Sequence, residues 1–184
     1  MPVEDKIDTG IIKVVTQSIA DTRDLETMSN HLTQLLVGSL GIKGCTIFVL
    51  NPETEELEVL SSFGLSVNYL NKGPLSVNKS IDHRLNPVPV VVGDVGAETG
   101  LQYPEEARQE GIGGMVSLPM HLYNRLVGVL RLYHFEPWDI SNNDLDCLST
   151  LAEMVGLAIM YSRLLTAYKS IKEIVDYVHP VWVE

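Results

Sequence analysis

The sequence predicts an α+β domain built on an antiparallel sheet, and three observations carry that prediction. Gly111 to Tyr133, GIGGMVSLPMHLYNRLVGVLRLY, reads as a β-hairpin that is largely apolar on both faces. Cys45 to Phe63 reads as another hairpin, and amphipathic helical stretches flank the pair. In the first arm of the later hairpin, Val116, Leu118, Met120 and Leu122 alternate with Met115, Ser117, Pro119 and His121. In the second arm, Leu126, Gly128, Leu130 and Leu132 alternate with Val127, Val129, Arg131 and Tyr133. Neither arm has a wholly polar face, so the sheet needs a cover on each side.

From Asp5 to Ala20, Ile7, Ile11, Val14, Val15 and Ile19 follow helical spacing, interrupted by Thr9-Gly10. This helix reads equally as a lid on the core or as half of a dimer interface. Asp21 to Asp24 supplies cap residues for a second helix, Leu25 to Leu40, with Gly41 as its stop. Cys45 to Leu50 is β-rich, Asn51-Pro52-Glu53-Thr54 is a turn, and Leu57 to Phe63 alternates as the return strand. Between Gly64 and Asn86 the periodicity fades into a loop with one or two short helices. Val88 to Val92 is a short strand that Pro89 confines to an edge or an irregular pairing. Asp94 to Gly111 is a second irregular crossover holding a helical piece, Pro104 to Glu110.

Ser141, with Asp144 three residues on, caps a long helix carrying Leu145, Leu148, Leu151, Ala152, Val155, Ala158 and Ile159 as one stripe. The period continues through Leu164, Leu165, Tyr168, Ile171, Ile174 and Val175 to about Val178, before His179-Pro180. Such a helix outruns any single core, and a partner helix is the expected cover for its distal part. The expected organisation is an N-terminal helix over 1–23, a domain over 24–165 and a C-terminal extension over 166–184.

Composition narrows the function. Hydrophobic residues are 45% and charged residues 20%, an ordinary globular balance. The net charge is −11 and the 13 Lys and Arg residues form no basic run, which argues against nucleic acid as a partner. No apolar run approaches the roughly 20 residues that span a bilayer, and the first residues lack a signal-peptide core, so a cytoplasmic protein without membrane insertion is expected. The two cysteines, Cys45 and Cys147, read as reduced structural thiols. No GxSxG, HExxH or CxxC occurs, and the five histidines show no ligand spacing, so neither a catalytic set nor a metal site is recognisable.

The order of elements resembles that of GAF domains, small-molecule sensory modules related to PAS domains. The landmarks are Ser62-Phe63-Gly64-Leu65-Ser66, then Pro89 to Val92 with Asp94-Val95, then Glu110-Gly111-Ile112 leading to Ser117-Leu118-Pro119-Met120. Leu126 to Leu130 and Leu151-Ala152 through Ala158-Ile159 complete the series, over about Asp24 to Leu165. The resemblance implies a five- or six-stranded sheet with the terminal helices on one face and the crossovers on the other. It also argues against three specialised functions. No NKFDE-type motif of cyclic-nucleotide-binding members is present, neither cysteine matches a bilin attachment site, and the crossovers lack the cysteines of the free methionine sulfoxide reductases.

The ligand of a GAF fold lies between the sheet and the crossovers. The candidates implied here are Phe63, Tyr69, Ile81, Asp94, Tyr103, Met115, Ser117, Arg131 and Tyr133, combining apolar walls with a few polar groups. Arg131 would meet a carboxylate or phosphate bidentately, or else pair with a nearby acid of the chain. Tyr69 and Tyr103 read as core or lid residues more readily than as ligand contacts. Strand alternation leaves open which face Ser117 and Arg131 occupy: under the crossovers they serve recognition, and under the helices the pocket becomes almost wholly apolar. Gly111 and Gly113-Gly114 read as a structural bend more readily than as a phosphate cradle.

The first expectation is therefore a signalling sensor that binds an unidentified small molecule and forms a homodimer through its terminal helices. With about twenty residues after Leu165, output would pass to a downstream signalling partner, or the chain is part of a longer protein. The alternatives are a ligand-free dimerisation module and a small GAF-fold enzyme. No cofactor or ligand is named by the sequence.

Overall fold

The computed structural model describes residues 7, 9–22, 24–76 and 88–178. Among the described residues six strands form one sheet: β1 (Gly44–Asn51), β2 (Glu56–Phe63), β3 (Leu75–Ser76), β4 (Val90–Val92), β5 (Gly114–Leu122) and β6 (Arg125–His134). Their order is β3-β2-β1-β6-β5-β4, with every neighbouring pair antiparallel. Helices α1 (Thr9–Asp21), α2 (Leu25–Leu40) and α5 (Asn142–Val178) cover one face, while the crossovers, with α3 (Val67–Leu70) and α4 (Pro104–Gln109), cover the other.

Local chemistry sets these boundaries. Asp24 caps α2 by accepting the Thr27 N–H at 2.8 Å, and Gly41 ends it in the left-handed conformation at φ 62°. The β5–β6 turn is the two residues Tyr123 and Asn124, both with positive φ (50° and 60°), a conformation whose twist suits a hairpin. Ser141 accepts the Asp144 N–H at 3.0 Å as the cap of α5.

Two layers of core follow from the strand alternation. Cys45, Ile47 and Val49 of β1, Val116, Leu118 and Met120 of β5, and Leu130 and Leu132 of β6 pack with Leu32 and Leu36 of α2 and Leu148, Leu151, Val155 and Ile159 of α5. On the opposite face, Met115 and Tyr133 pack with Tyr69, Val92, Val95, Ala107 and Ile112. Gly128 is required at the crossing of β6 and β1, because a Cβ there would stand 2.1 Å from the Phe48 carbonyl oxygen.

The structure departs from the sequence reading in four places. Ile7 lies ahead of α1 rather than inside it; its buried side chain joins the helical core and its N–H donates to Asp144 Oδ1 at 2.8 Å. The first crossover contributes the edge strand β3, paired with Glu56 and Leu57, where no strand was expected. The β5–β6 register slips between Met120 and His121, so Met120 faces Gly128 and His121 faces Leu126. The residue left over, Val127, turns into the helical core, while Leu126 packs on the crossover side, inverting their expected faces. Lastly, the stretch Asn142–Asp176 is long and apolar enough, by length and composition, to cross a membrane. Its inner stripe, Leu148, Leu151, Ala152, Val155 and Ile159, is fully buried as domain core.

Candidate functional site

Alternation along β6 places Arg131 and Tyr133 on the crossover face, and pairing sets Arg131 between Thr46 of β1 and Ser117 of β5. The result is a polar row, Ser62, Thr46, Arg131 and Ser117, across the crossover face of the sheet. Ser62 Oγ and Thr46 Oγ1 are hydrogen-bonded at 2.9 Å, and Arg131 Nε donates to Ser117 Oγ at 2.8 Å. The Arg131 guanidinium carbon stands 5.6 Å from the centre of the Phe48 ring. Arg131 is only 4% exposed, yet its Nη2 has no hydrogen-bond partner. Among the described residues no carboxylate pairs with it. An uncompensated buried guanidinium is costly, since the desolvation it suffers is not returned by a counter-charge.

The crossovers bring a second cation over this row. Arg131, Met115, Tyr69, Lys72, Leu75, Leu101, Gln102 and Tyr103 enclose a cavity of about 20 Å³, room for about one water molecule. The Lys72 ammonium donates to the Tyr69 carbonyl oxygen at 3.0 Å and stands 3.8 Å from the centre of the Tyr69 ring. Burial, and next the positive charge of Arg131, lowers the Lys72 pKa to about 8, against a smaller opposing pull from Glu106 and Glu110. Burial raises the Tyr69 and Tyr133 phenols, so both stay neutral at physiological pH. Their rings meet edge to face at 5.9 Å, and Tyr133 Oη lacks a partner within hydrogen-bond geometry even though Thr46, Tyr69 and Arg131 are near enough to influence its ionisation.

Two hydrogen bonds tie the crossovers together beside the cavity. Tyr103 Oη and Gln102 Nε2 both donate to the Pro74 carbonyl oxygen, each at 2.9 Å. Gln102 Oε1 is buried without a partner. A larger hollow, lined by Ser18, His31, Gln34, Leu35, Gly38 and Ser39, is open to solvent and has none of these unpartnered buried atoms.

The structure thus brings Tyr69, Tyr103, Met115 and Arg131 around one cavity, with Ser117 holding Arg131 and Tyr133 packed on Tyr69. Phe63 does not join them: it is 44% exposed and pairs with Cys45, a residue of the helical face. Asp94 does not either, because its exposed carboxylate accepts the Gly96 N–H at 2.8 Å in a local turn. Ile81 lies outside the described residues. Lys72, Leu75, Leu101 and Gln102 were missed by sequence reasoning. Lys72 sits in the turn Asn71-Lys72-Gly73-Pro74, which signals a bend and says nothing of what the lysine folds over. The bend at Gly111 is structural: Gly111 has φ 75°, and a Cβ on Gly113 or Gly114 would strike the Glu136–Trp138 segment.

The family profile described as GAF domain matches residues 24–159. The chain belongs to the GAF domain family. GAF domains are in general sensory and signalling modules rather than catalysts. The GAF fold here is similar to the GAF domain of a phosphoenolpyruvate-protein phosphotransferase from Coxiella burnetii, with TM-score 0.77 and 19% identity over 86% of this chain and 96% of that one. It is also similar to free methionine-R-sulfoxide reductase from Neisseria meningitidis in complex with its substrate, with TM-score 0.70 and 17% identity over 90% and 98% of the two chains. A third similar structure is a far-red absorbing dark state with bound biliverdin, with TM-score 0.66 and 16% identity over 83% and 99%. At these identities the likeness concerns the fold. No curated protein matches the chain.

Proposed function

We propose that this GAF domain is a non-catalytic regulatory sensor that binds a small molecule between sheet and crossovers and dimerises through its terminal helices. One observation carries the reading: α5 is at once the floor of the domain core and a rod whose distal apolar stripe no described residue covers. Its first half lies under β5 and β6 through Leu148, Leu151, Val155 and Ile159. Beyond that, Leu157, Tyr161, Leu164, Tyr168, Ile171 and Val175 are all more than half exposed. Their spacing alternates four and three residues, the seam of a left-handed coiled coil. With Met160 and Ile174 beside it, the stripe runs along the distal part of α5. The same stripe on a second copy is its natural complement, since a two-fold interface uses one patch twice.

A cytoplasmic setting is part of the proposal, and the two free thiols, Cys45 and Cys147, fit it. A downstream signalling protein would read the arrangement of the paired helices. The small volume of the cavity favours a second reading, a dimerisation module whose pocket its own side chains fill. Sedimentation of the full chain at micromolar concentration tests the dimer. A dimer that becomes a monomer on deletion of residues 166–184 is expected, and a wild-type monomer would overturn the proposal.

A further inference from the structure

We propose that the space between Arg131 and Lys72 is a receptor for a small anion, a carboxylate or a phosphate group, and that the anion supplies a counter-charge that no carboxylate among the described residues supplies. This rests on the sensor reading above and names the chemical class of its ligand. Four observations on one cavity carry it. Arg131 is buried, aimed at the cavity, and fixed by the bond from Nε to Ser117 Oγ, which leaves Nη2 unpartnered. That geometry presents a rigid donor edge, the form in which guanidinium recognises planar anions.

Lys72 then adds a second positive charge from the opposite wall. The charge of Arg131 disfavours the Lys72 ammonium, and among the described residues no acid forms an ion pair with either cation. Glu110 is engaged by the Ser66 N–H at 2.8 Å and lies 3.9 Å from the Lys43 ammonium. Glu106 acts on Lys72 only at a distance, with no ion pair formed among the described residues. In a chain of net charge −11, anions are repelled in bulk, so such a local cationic pair is selective rather than a general attraction.

Tyr69 and Tyr103 wall the same space, giving an apolar body next to the anionic group somewhere to pack. A ligand larger than one water must part the two crossovers, and the bonds from Gln102 and Tyr103 to Pro74 are the contacts that yield. Both are exposed, so breaking them exchanges protein hydrogen bonds for water. Lys72 is the titrating partner, faced by Arg131, Glu106, Glu110, Tyr69 and Tyr103, so binding should weaken as pH rises through about 8.

The test uses the full chain at pH 6.5 and constant ionic strength, with chloride as reference and inorganic phosphate, malonate and succinate as probes. Thermal melts and the Arg131 Nε–H resonance in nitrogen-15 spectra are the two readouts. One or more probes should raise the melting temperature above the chloride control and move that resonance. Lys72→Met should weaken the effect tenfold or more and Arg131→Gln should abolish it, whereas Phe63→Ala should leave it unchanged. Preference for phosphate or for the carboxylates identifies the anionic group. No probe distinguishable from chloride by either readout overturns the proposal, as does a shift that survives Arg131→Gln. A neutral compound that binds this cavity equally well in Arg131→Gln overturns the anion class alone and leaves the sensor reading standing.

Discussion

Replacing Lys72 by Met removes a charge that the folded state holds at a disadvantage. The unfolded chain titrates this amine near its ordinary value of 10.5, and the folded protein near 8. Because the folded value is depressed, the unfavourable contribution is fully present below pH 8, fades between pH 8 and 10.5, and is gone above. Taken at face value the displacement corresponds to roughly 3 kcal/mol; partial exposure of Lys72 screens it to about 1–2 kcal/mol. One attraction works the other way: the ammonium over the Tyr69 ring favours the charged form by about 0.5–1 kcal/mol. Urea titrations of wild type and Lys72→Met at pH 7.0 and 9.5 separate the two. Burial winning means the variant's advantage over wild type shrinks by about 1 kcal/mol between the two pH values. Packing changes from the methionine cancel, since they do not depend on pH. An advantage that grows with pH would show that the aromatic contact prevails, and equal differences at both pH values would refute the reasoning about Arg131 and Lys72 as mutually unfavourable neighbours.

Three further outcomes are expected. Leu164→Glu with Ile171→Glu alters only exposed positions of α5, so the fold seen by circular dichroism should persist while sedimentation shows the dimer lost. Gly128→Ala forces a Cβ to within 2.1 Å of the Phe48 carbonyl oxygen and should destabilise the chain by about 3 kcal/mol or more in urea, whereas Gly38→Ala, on an open stretch of α2, should stabilise it by about 0.5–1 kcal/mol. Tyr103→Phe deletes one of the two bonds to Pro74; easier parting of the crossovers should tighten the apparent affinity for the best anion of the melting screen about 2–5-fold, read by isothermal calorimetry.

Alternation made much of the sheet legible. The period of two in Val116, Leu118 and Met120, and in Leu130 and Leu132, is a property of every strand, and it correctly separated the helical core from Met115, Ser117, Arg131 and Tyr133. It failed at Leu126 and Val127, because one extra residue in a bulge reverses every face beyond it and leaves no mark on the residue types. Caps were legible for the same local reason: Asp24 and Ser141 act within three residues of themselves. Lys72 and Gln102 were not, since their position over β6 is decided by how two irregular crossovers fold back, which no periodicity records. Phe63 shows the converse failure, where an aromatic within a family landmark pairs with Cys45 of the helical face and stays exposed.

The two halves of the proposed function meet in β6. On one side Arg131 faces the cavity; on the other its neighbours Leu130 and Leu132 lie in the core that α5 closes. A shift of Arg131 toward an anion therefore bears on the strand against which the dimer helix rests, while the exposed half of α5 continues from the same rigid rod, about 55 Å long in all. Contact alone does not make this a switch. The anion must prefer one arrangement of the paired helices, and linkage then requires that dimerisation change anion affinity by the same factor by which the anion changes dimer affinity. Dimer dissociation constants measured with and without saturating anion, set against anion affinities of the wild-type dimer and the Leu164→Glu, Ile171→Glu monomer, give that factor twice. Equal factors above one place cavity and helices in a single coupled equilibrium; factors of one would make them two independent devices sharing a strand.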